Sequence, residues 1–140
     1  MKKISIIVPV FNGAETIHQC LDAILKLTYP EDLIEIIVIN DGSTDNTLQI
    51  IHEIHSPRIK IISNQENKGR AYSRLKGAKE ASNEFLLFID TRVIVERNAL
   101  SEIAKYDEPI QSPLIIKGNN NIWDIALRAL RTLVFKGNKK

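Results

Sequence analysis

Ile4-Ser5-Ile6-Ile7-Val8-Pro9-Val10, closed by Phe11-Asn12-Gly13, is an apolar run that does not alternate with polar residues. A strand with one wet face alternates; a continuous run implies burial on both faces, as in a parallel sheet. Three more such runs follow at similar intervals, at 34–39, 59–62 and 85–89. Helix-period segments fill the gaps. Residues 14–27 place Ile17, Leu21, Ile24 and Leu25 on one stripe, and Asn12 followed by Glu15 predicts a capping box before it. Residues 43–54 open on Ser-Thr-Asp and turn Leu48, Ile51 and Ile54 inward, and residues 69–81 carry Ala71, Leu75, Ala78 and Ala81 as an apolar edge. Strands alternating with helices predict crossover units and a mostly parallel, Rossmann-like α/β sheet flanked by helices.

Beyond Ile89 the alternation loosens. A helix is expected over 98–106, a strand at Leu114-Ile115-Ile116, and a terminal amphipathic helix over about 121–135 with Trp123, Leu127, Leu130 and Val134 along one side. With Arg128, Arg131, Lys136, Lys139 and Lys140 nearby, that helix has three readings: packing on the domain, self-association into a homo-oligomer, or contact with an anionic membrane surface.

The 140 residues suit one domain, 1–140, and 44% hydrophobic with 26% charged residues excludes the profile of a disordered chain. A formal charge of +2 is too small to make nucleic acid the expected partner. The lone Cys20 excludes an intramolecular disulfide and a cysteine-built zinc site, and is compatible with a reducing, cytoplasmic setting. The apolar start is too short for a signal peptide and meets Pro9 at once, and no stretch reaches the roughly 20 apolar residues of a membrane-spanning helix. Neither a Gly-X-Gly-X-X-Gly nor a Walker-type loop is present, which disfavours dinucleotide and P-loop functions.

In an open parallel sheet, ligands gather beyond the carboxyl ends of the strands. The polar residues follow that rule: Pro9-Val10-Phe11-Asn12-Gly13, Asn40-Asp41-Gly42-Ser43-Thr44-Asp45, Asn64-Gln65-Glu66-Asn67-Lys68-Gly69-Arg70 and Asp90-Thr91-Arg92 each follow or close an apolar run. Each has a plainer explanation taken alone. Asp41-Gly42-Ser43 is a turn into a helix cap, Pro9 ends a strand, Arg70 and Arg74 form a solvated face, His18, His52 and His55 lie on helix surfaces, and Cys20 is a small buried residue.

Taken together, Val8-Pro9-Val10-Phe11-Asn12 with Glu15, Asn40-Asp41-Gly42-Ser43-Thr44-Asp45, Asn67-Lys68-Gly69 with Ala71 and Arg74, and Phe88-Ile89-Asp90 closely resemble the N-terminal half of family 2 glycosyltransferases of the GT-A fold, over roughly residues 4–95. The resemblance implies a site for a uridine or guanosine diphosphate sugar. Pro9 and Phe11 would wall the base, with Glu15 at the same edge and Asp41 accepting from a ring NH. Gly69 would allow close approach, Arg70 and Arg74 would contact base or phosphate, and Asp90 would reach the ribose or a metal-bound water.

Two departures qualify that expectation. The family's Asp-X-Asp pattern, which holds magnesium or manganese, here has Arg92 at its second acidic position, so metal dependence is in doubt. Arg92 is expected either to weaken or replace the ion at Asp90, or to point to solvent or pair with Glu96. The family also continues well beyond this length, and no residue after Arg92 matches its general base; Glu96, Asp107, Glu108 and Asp124 are carboxylates without a recognisable motif. Two classes therefore stand: an inverting glycosyltransferase, or a C-terminally truncated part of one, acting on a hydroxyl acceptor in cell-surface polysaccharide or glycolipid synthesis, and a catalytically incomplete nucleotide-sugar-binding module. The expected setting is the cytoplasm, extending to the inner face of the membrane if the terminal helix binds there.

Overall fold

The computed structural model describes residues 1–105 and the backbone of residues 134–136. Four parallel strands form the sheet: β1 (Ile4–Val10), β2 (Ile34–Asn40), β3 (Ile59–Ser63) and β4 (Phe85–Phe88). A fifth, β5 (Val134–Lys136), pairs antiparallel with β4, giving the order β3-β2-β1-β4-β5. Helices α1 (Ile17–Leu25), α2 (Thr47–Glu53), α3 (Arg70–Glu80) and α4 (Ala99–Ile103) lie between strands or after β4.

Both faces of the sheet are covered, which is why its strands are uninterrupted apolar runs. Ile4, Ile6, Val8 and Val10 join Ile36 and Val38 in one core with Ile17, Cys20, Leu21 and Ile24 of α1 and Ile51 of α2. Ile7, Ile37, Ile39, Leu86 and Phe88 form a second core, packed by Ile62, Ala78 and Ala81. Burying one such aliphatic side chain contributes about 1.5–3 kcal/mol, so the two-sided strands dominate the stability.

The contacts correct several helix expectations. Asn12 makes no capping box: α1 starts at Ile17, and Asn12, at φ 49°, accepts instead from Thr44 N at 2.8 Å. Likewise α2 begins at Thr47 rather than Ser43: the polar side chains ahead of it serve the neighbouring loop, and Asp45 Oδ1 also accepts from Thr47 N (3.0 Å), the first amide of the helix. Ser43 Oγ accepts from Asn12 N (3.0 Å), Asp45 Oδ2 from Ala14 N (3.2 Å) and Thr47 Oγ1 from Gly13 N (2.9 Å). On α3 the inward positions are Ser73 and Gly77, while Ala71 is exposed and Leu75 is 56% exposed. The helix sits too close to the sheet for a larger residue there: a Cβ on Gly77 would clash with Ile7 Cγ2.

Pro9 does not end β1, which runs on to Val10, paired with Asn40 of β2. The helix expected over 121–135 is corrected at its end, since Val134 and Phe135 belong to β5, where β4 supplies backbone partners. The helix expected over 98–106 is shorter, Ala99–Ile103, closing at Ala104. The rest of the 121–135 segment and the strand at 114–116 lie outside the described residues, as do the readings that rest on them.

Candidate functional site

The site follows from where the strands stop. Ile89 N donates to Ile7 O (3.0 Å), so the odd-numbered positions of β1 turn their backbone toward β4. Pro9 is the next in that row and has no N–H to give. The β1–β4 register ends at Ile7 with Phe88, whereas β1 and β2 stay paired to Val10 and Asn40. Beyond this parting lies a cleft of about 600 Å³, lined by the loops that follow β1, β2 and β4, the β3–α3 loop and the start of α3. That volume suits a small organic ligand.

Eight of the nine residues singled out from sequence line this cleft: Pro9, Phe11, Glu15, Asp41, Gly69, Arg70, Asp90 and Arg92. Arg74, one turn along α3, is not among its lining residues. Burial pushes the Arg74 guanidinium's pKa down, as does the nearby Arg70 charge, while Asp90 opposes them.

Asp41 is 3% exposed and acts as a hub. Its Oδ1 accepts from Asn64 Nδ2 (2.7 Å) and Lys68 N (2.9 Å), and its Oδ2 from Gly69 N (2.8 Å). Burial alone would raise its pKa; the bonds from Lys68 N, Asn64, Ser73 and Gly69 N outweigh that and hold the carboxyl below its usual value. The carboxylate thus fixes the loop that delivers Gly69 and Arg70 to the cleft. Gly42 and Gly69 complete this junction. Gly42, at φ 69°, lies where a Cβ would meet the backbone of Glu66 and Asn67, and Gly69, at φ 91° and ψ 160°, takes a conformation nearly exclusive to glycine.

Asp90, buried at the end of the fourth run, is gripped by Arg92. Nε donates to Oδ1 at 2.9 Å, Nη2 to Oδ2 at 3.1 Å, and the Arg92 amide to Oδ1 at 3.1 Å. Among the described residues the partner of Arg92 is therefore Asp90, not Glu96, and Asp90 raises the guanidinium's pKa further. This geometry does not fit a divalent cation: both oxygens of Asp90 face a guanidinium, position 92 offers no oxygen donor, and the described residues hold no group of three or more acidic, His or Cys side chains placed for a metal ion.

The supporting side chains were not singled out from sequence. Asn64 and Ser73 hold Asp41, and Thr16 Oγ1 donates to Thr91 Oγ1 (3.1 Å), joining the first loop to the fourth. For Asn64 a signal existed, since it opens the polar loop after the third apolar run. Ser73 carries no comparable sign, because its burial depends on how closely α3 meets the sheet.

An open α/β sheet with a polar cleft at its strand ends, rimmed by two buried carboxylates and by guanidinium groups, defines a Rossmann-like α/β protein with its cleft where such sheets place their ligands. Comparison with known proteins makes that class specific. The model of glycosyl transferase family 2 matches residues 5–113, and the chain belongs to that family.

Among curated relatives, poly-beta-1,6-N-acetyl-D-glucosamine synthase of Staphylococcus epidermidis is 37% identical over 97 residues, 69% of this chain and 23% of the relative. The poly(ribitol-phosphate) beta-N-acetylglucosaminyltransferase TarS of Staphylococcus aureus is 32% identical over 120 residues, 84% of this chain and 21% of the relative. The chain thus spans less than a quarter of either. A crystal structure of S. aureus TarS in complex with UDP-GlcNAc superposes with a TM-score of 0.69 at 32% identity, covering 75% of this chain and 30% of that one. The mannosyltransferase PcManGT of Pyrobaculum calidifontis, in complex with GDP-Man and Mn2+, gives 0.77 at 21% identity over 96% of this chain and 44% of its own, a likeness of fold. The sheet is that of the GT-A glycosyltransferases, as the sequence motifs implied. No helix among the described residues is long and apolar enough to cross a membrane.

Proposed function

We propose that this chain forms the donor-binding part of an inverting glycosyltransferase that takes a sugar from a nucleoside diphosphate to a hydroxyl acceptor in cell-surface polysaccharide or glycolipid synthesis. The observation that carries the reading is the convergence of Asp41, Gly69, Arg70, Asp90 and Arg92 on one cleft. Relatives at 32–37% identity named for N-acetylglucosamine transfer or polymer synthesis favour a uridine diphosphate N-acetylhexosamine as the donor.

Each lining group has a physical task in this reading. Phe11, 46% exposed, offers an aromatic face against which a base stacks, and Pro9 gives that wall a fixed backbone. Asp41 holds the loop and presents its carboxylate to the base edge, and Glu15 sits at the same rim. The open φ at Gly69 admits the nucleotide close to the backbone. Arg70 and Arg92 supply positive charge toward the diphosphate, with Arg74 behind them outside the lining, and Asp90 orients Arg92 and the ribose. As the bond from anomeric carbon to phosphate oxygen breaks, negative charge gathers on the departing diphosphate, where fixed cationic donors stabilise it most. A carboxylate elsewhere in the whole protein would take the acceptor's proton. The lone Cys20 agrees with a reducing cytoplasmic setting, with the acceptor met at the inner face of the membrane.

Calorimetric titration of the chain with UDP, GDP and UDP-GlcNAc, beside an assay of donor hydrolysis, tests this. Expected is saturable binding that Asp41→Ala abolishes. Binding without release of UDP assigns the 140-residue chain the narrower role of a nucleotide-sugar-binding module, and no binding of any of the three sinks the proposal.

A further inference from the structure

The arrangement at Asp90 and Arg92 bears on how the diphosphate's charge is met, and the inference rests on the donor-site reading above. An acidic pair holding a divalent cation sums to zero charge. One carboxylate holding one guanidinium also sums to zero, so the exchange of a carboxylate for Arg92 keeps the local balance with no ion present. Burial divides the pair: the Asp90 side chain is 10% exposed and that of Arg92 is 51% exposed. The anion lies inside, and the cation faces the cleft.

Donor counting points the same way. A guanidinium carries five N–H groups in a planar fork. Two are directed at Asp90, which leaves three without a partner among the described residues, on the group that lines the cleft. Such an edge fits phosphate oxygens two at a time. A divalent ion would have to displace Arg92 from Asp90 and would then find one carboxylate, with a guanidinium beside it, where a hard cation wants six or more oxygens.

We propose that Arg92 is the resident cation of this site: locked by Asp90, it receives the diphosphate directly, and the chain binds a nucleoside diphosphate without a divalent metal. Arg92 here is a specificity-determining group that touches the leaving diphosphate, with Asp90 as its positioning residue.

The test is titration of the full chain with UDP in EDTA and again in excess manganese, together with manganese alone followed through the electron paramagnetic resonance of the free ion. Expected are affinities in EDTA and manganese within about 3-fold of each other, since the charge is already met. Manganese alone should show no stoichiometric site. Arg92→Ala should lose about 10- to 100-fold in EDTA, the worth of hydrogen bonds to a charged group. Arg92→Lys, which keeps the charge and loses the fork, should fall between. Arg92→Asp should bind UDP only when manganese is added.

UDP binding that needs manganese in the unaltered chain overturns this inference and leaves the donor site standing. A stoichiometric manganese site without nucleotide, or full affinity of Arg92→Ala in EDTA, overturns it equally. Absence of UDP binding in either medium removes the donor site itself, and this inference with it.

Discussion

Gly42→Ala and Gly69→Ala make a matched pair that tests whether the β2 and β3 loops are welded together as described. Both glycines have positive φ, 69° and 91°, so an alanine at either pays for a backbone conformation that a side chain disfavours, about 1–3 kcal/mol. Both variants also gain about 0.4–1 kcal/mol from a less flexible unfolded chain, which cancels in the comparison. They differ in what the new Cβ meets. At Gly69 nothing lies within 4 Å. At Gly42 the Cβ would stand 2.5 Å from Glu66 C and 2.7 Å from Asn67 N, backbone atoms that cannot rotate away. Overpacking of that kind adds about 1–3 kcal/mol, so net of that gain Gly42→Ala should lose ~1–5.5 kcal/mol against ~0–2.5 for Gly69→Ala. Urea unfolding of the three proteins measures it. Because Asn67 leads directly to the Lys68 and Gly69 amides that bind Asp41, Gly42→Ala should also weaken UDP binding. A net loss at Gly42 below about 1 kcal/mol would refute the close contact between the two loops.

Three further outcomes are expected. Asp41→Asn removes a carboxylate whose folded pKa is depressed, so the stability it contributes is complete above the ordinary carboxyl pKa and fades as pH falls through the folded value; thermal melts should show a wild-type advantage of about 2 kcal/mol at pH 7 that closes on acidification, and a gap that instead widens in acid would contradict the assignment. Leu75→Ala should change urea stability by less than about 0.5 kcal/mol while Ile51→Ala, at a 2% exposed position, costs ~2–5, and comparable losses would restore the apolar edge read from sequence. Burial, aided by the Asp90 charge, pushes the Cys20 thiol up to about 12, so a thiol reagent at pH 8 should leave the folded chain unlabelled and label it at once in denaturant; rapid native labelling would mean that α1 opens readily.

The strands were legible because burial on both sides writes itself into the chain as unbroken runs of Ile and Val, and the rim was legible because polar residues follow each run. Helix starts were less so. Asn12 and Ser43 are good capping residues by type, yet each is more useful to an amide some 31 or 32 positions away, while Asp45 divides its oxygens between Thr47 N and Ala14 N, and local chemistry cannot announce such distant partners. The inner face of α3 was half legible: Ala78 and Ala81 do pack on the second core, but a helix lying this close to its sheet buries Ser73 and Gly77 and leaves Leu75 outside, the reverse of what residue size suggests. At the site, the residue types were readable and their pairings were not. Arg92 was weighed against Glu96, four residues on, as in a helix, but the turn after β4 folds it back onto Asp90.

The proline in β1 has a consequence for affinity. The β1–β4 ladder stops at Ile7 and Phe88 and Pro9 cannot extend it, so a ligand at the mouth between these strands need not unzip any ladder to enter, and its binding free energy is not diminished by that work. Such preorganisation is indifferent to what decorates the walls. Rim side chains can be exchanged for others without shutting the aperture, which leaves the scaffold free to change its preferred cargo while keeping the same doorway.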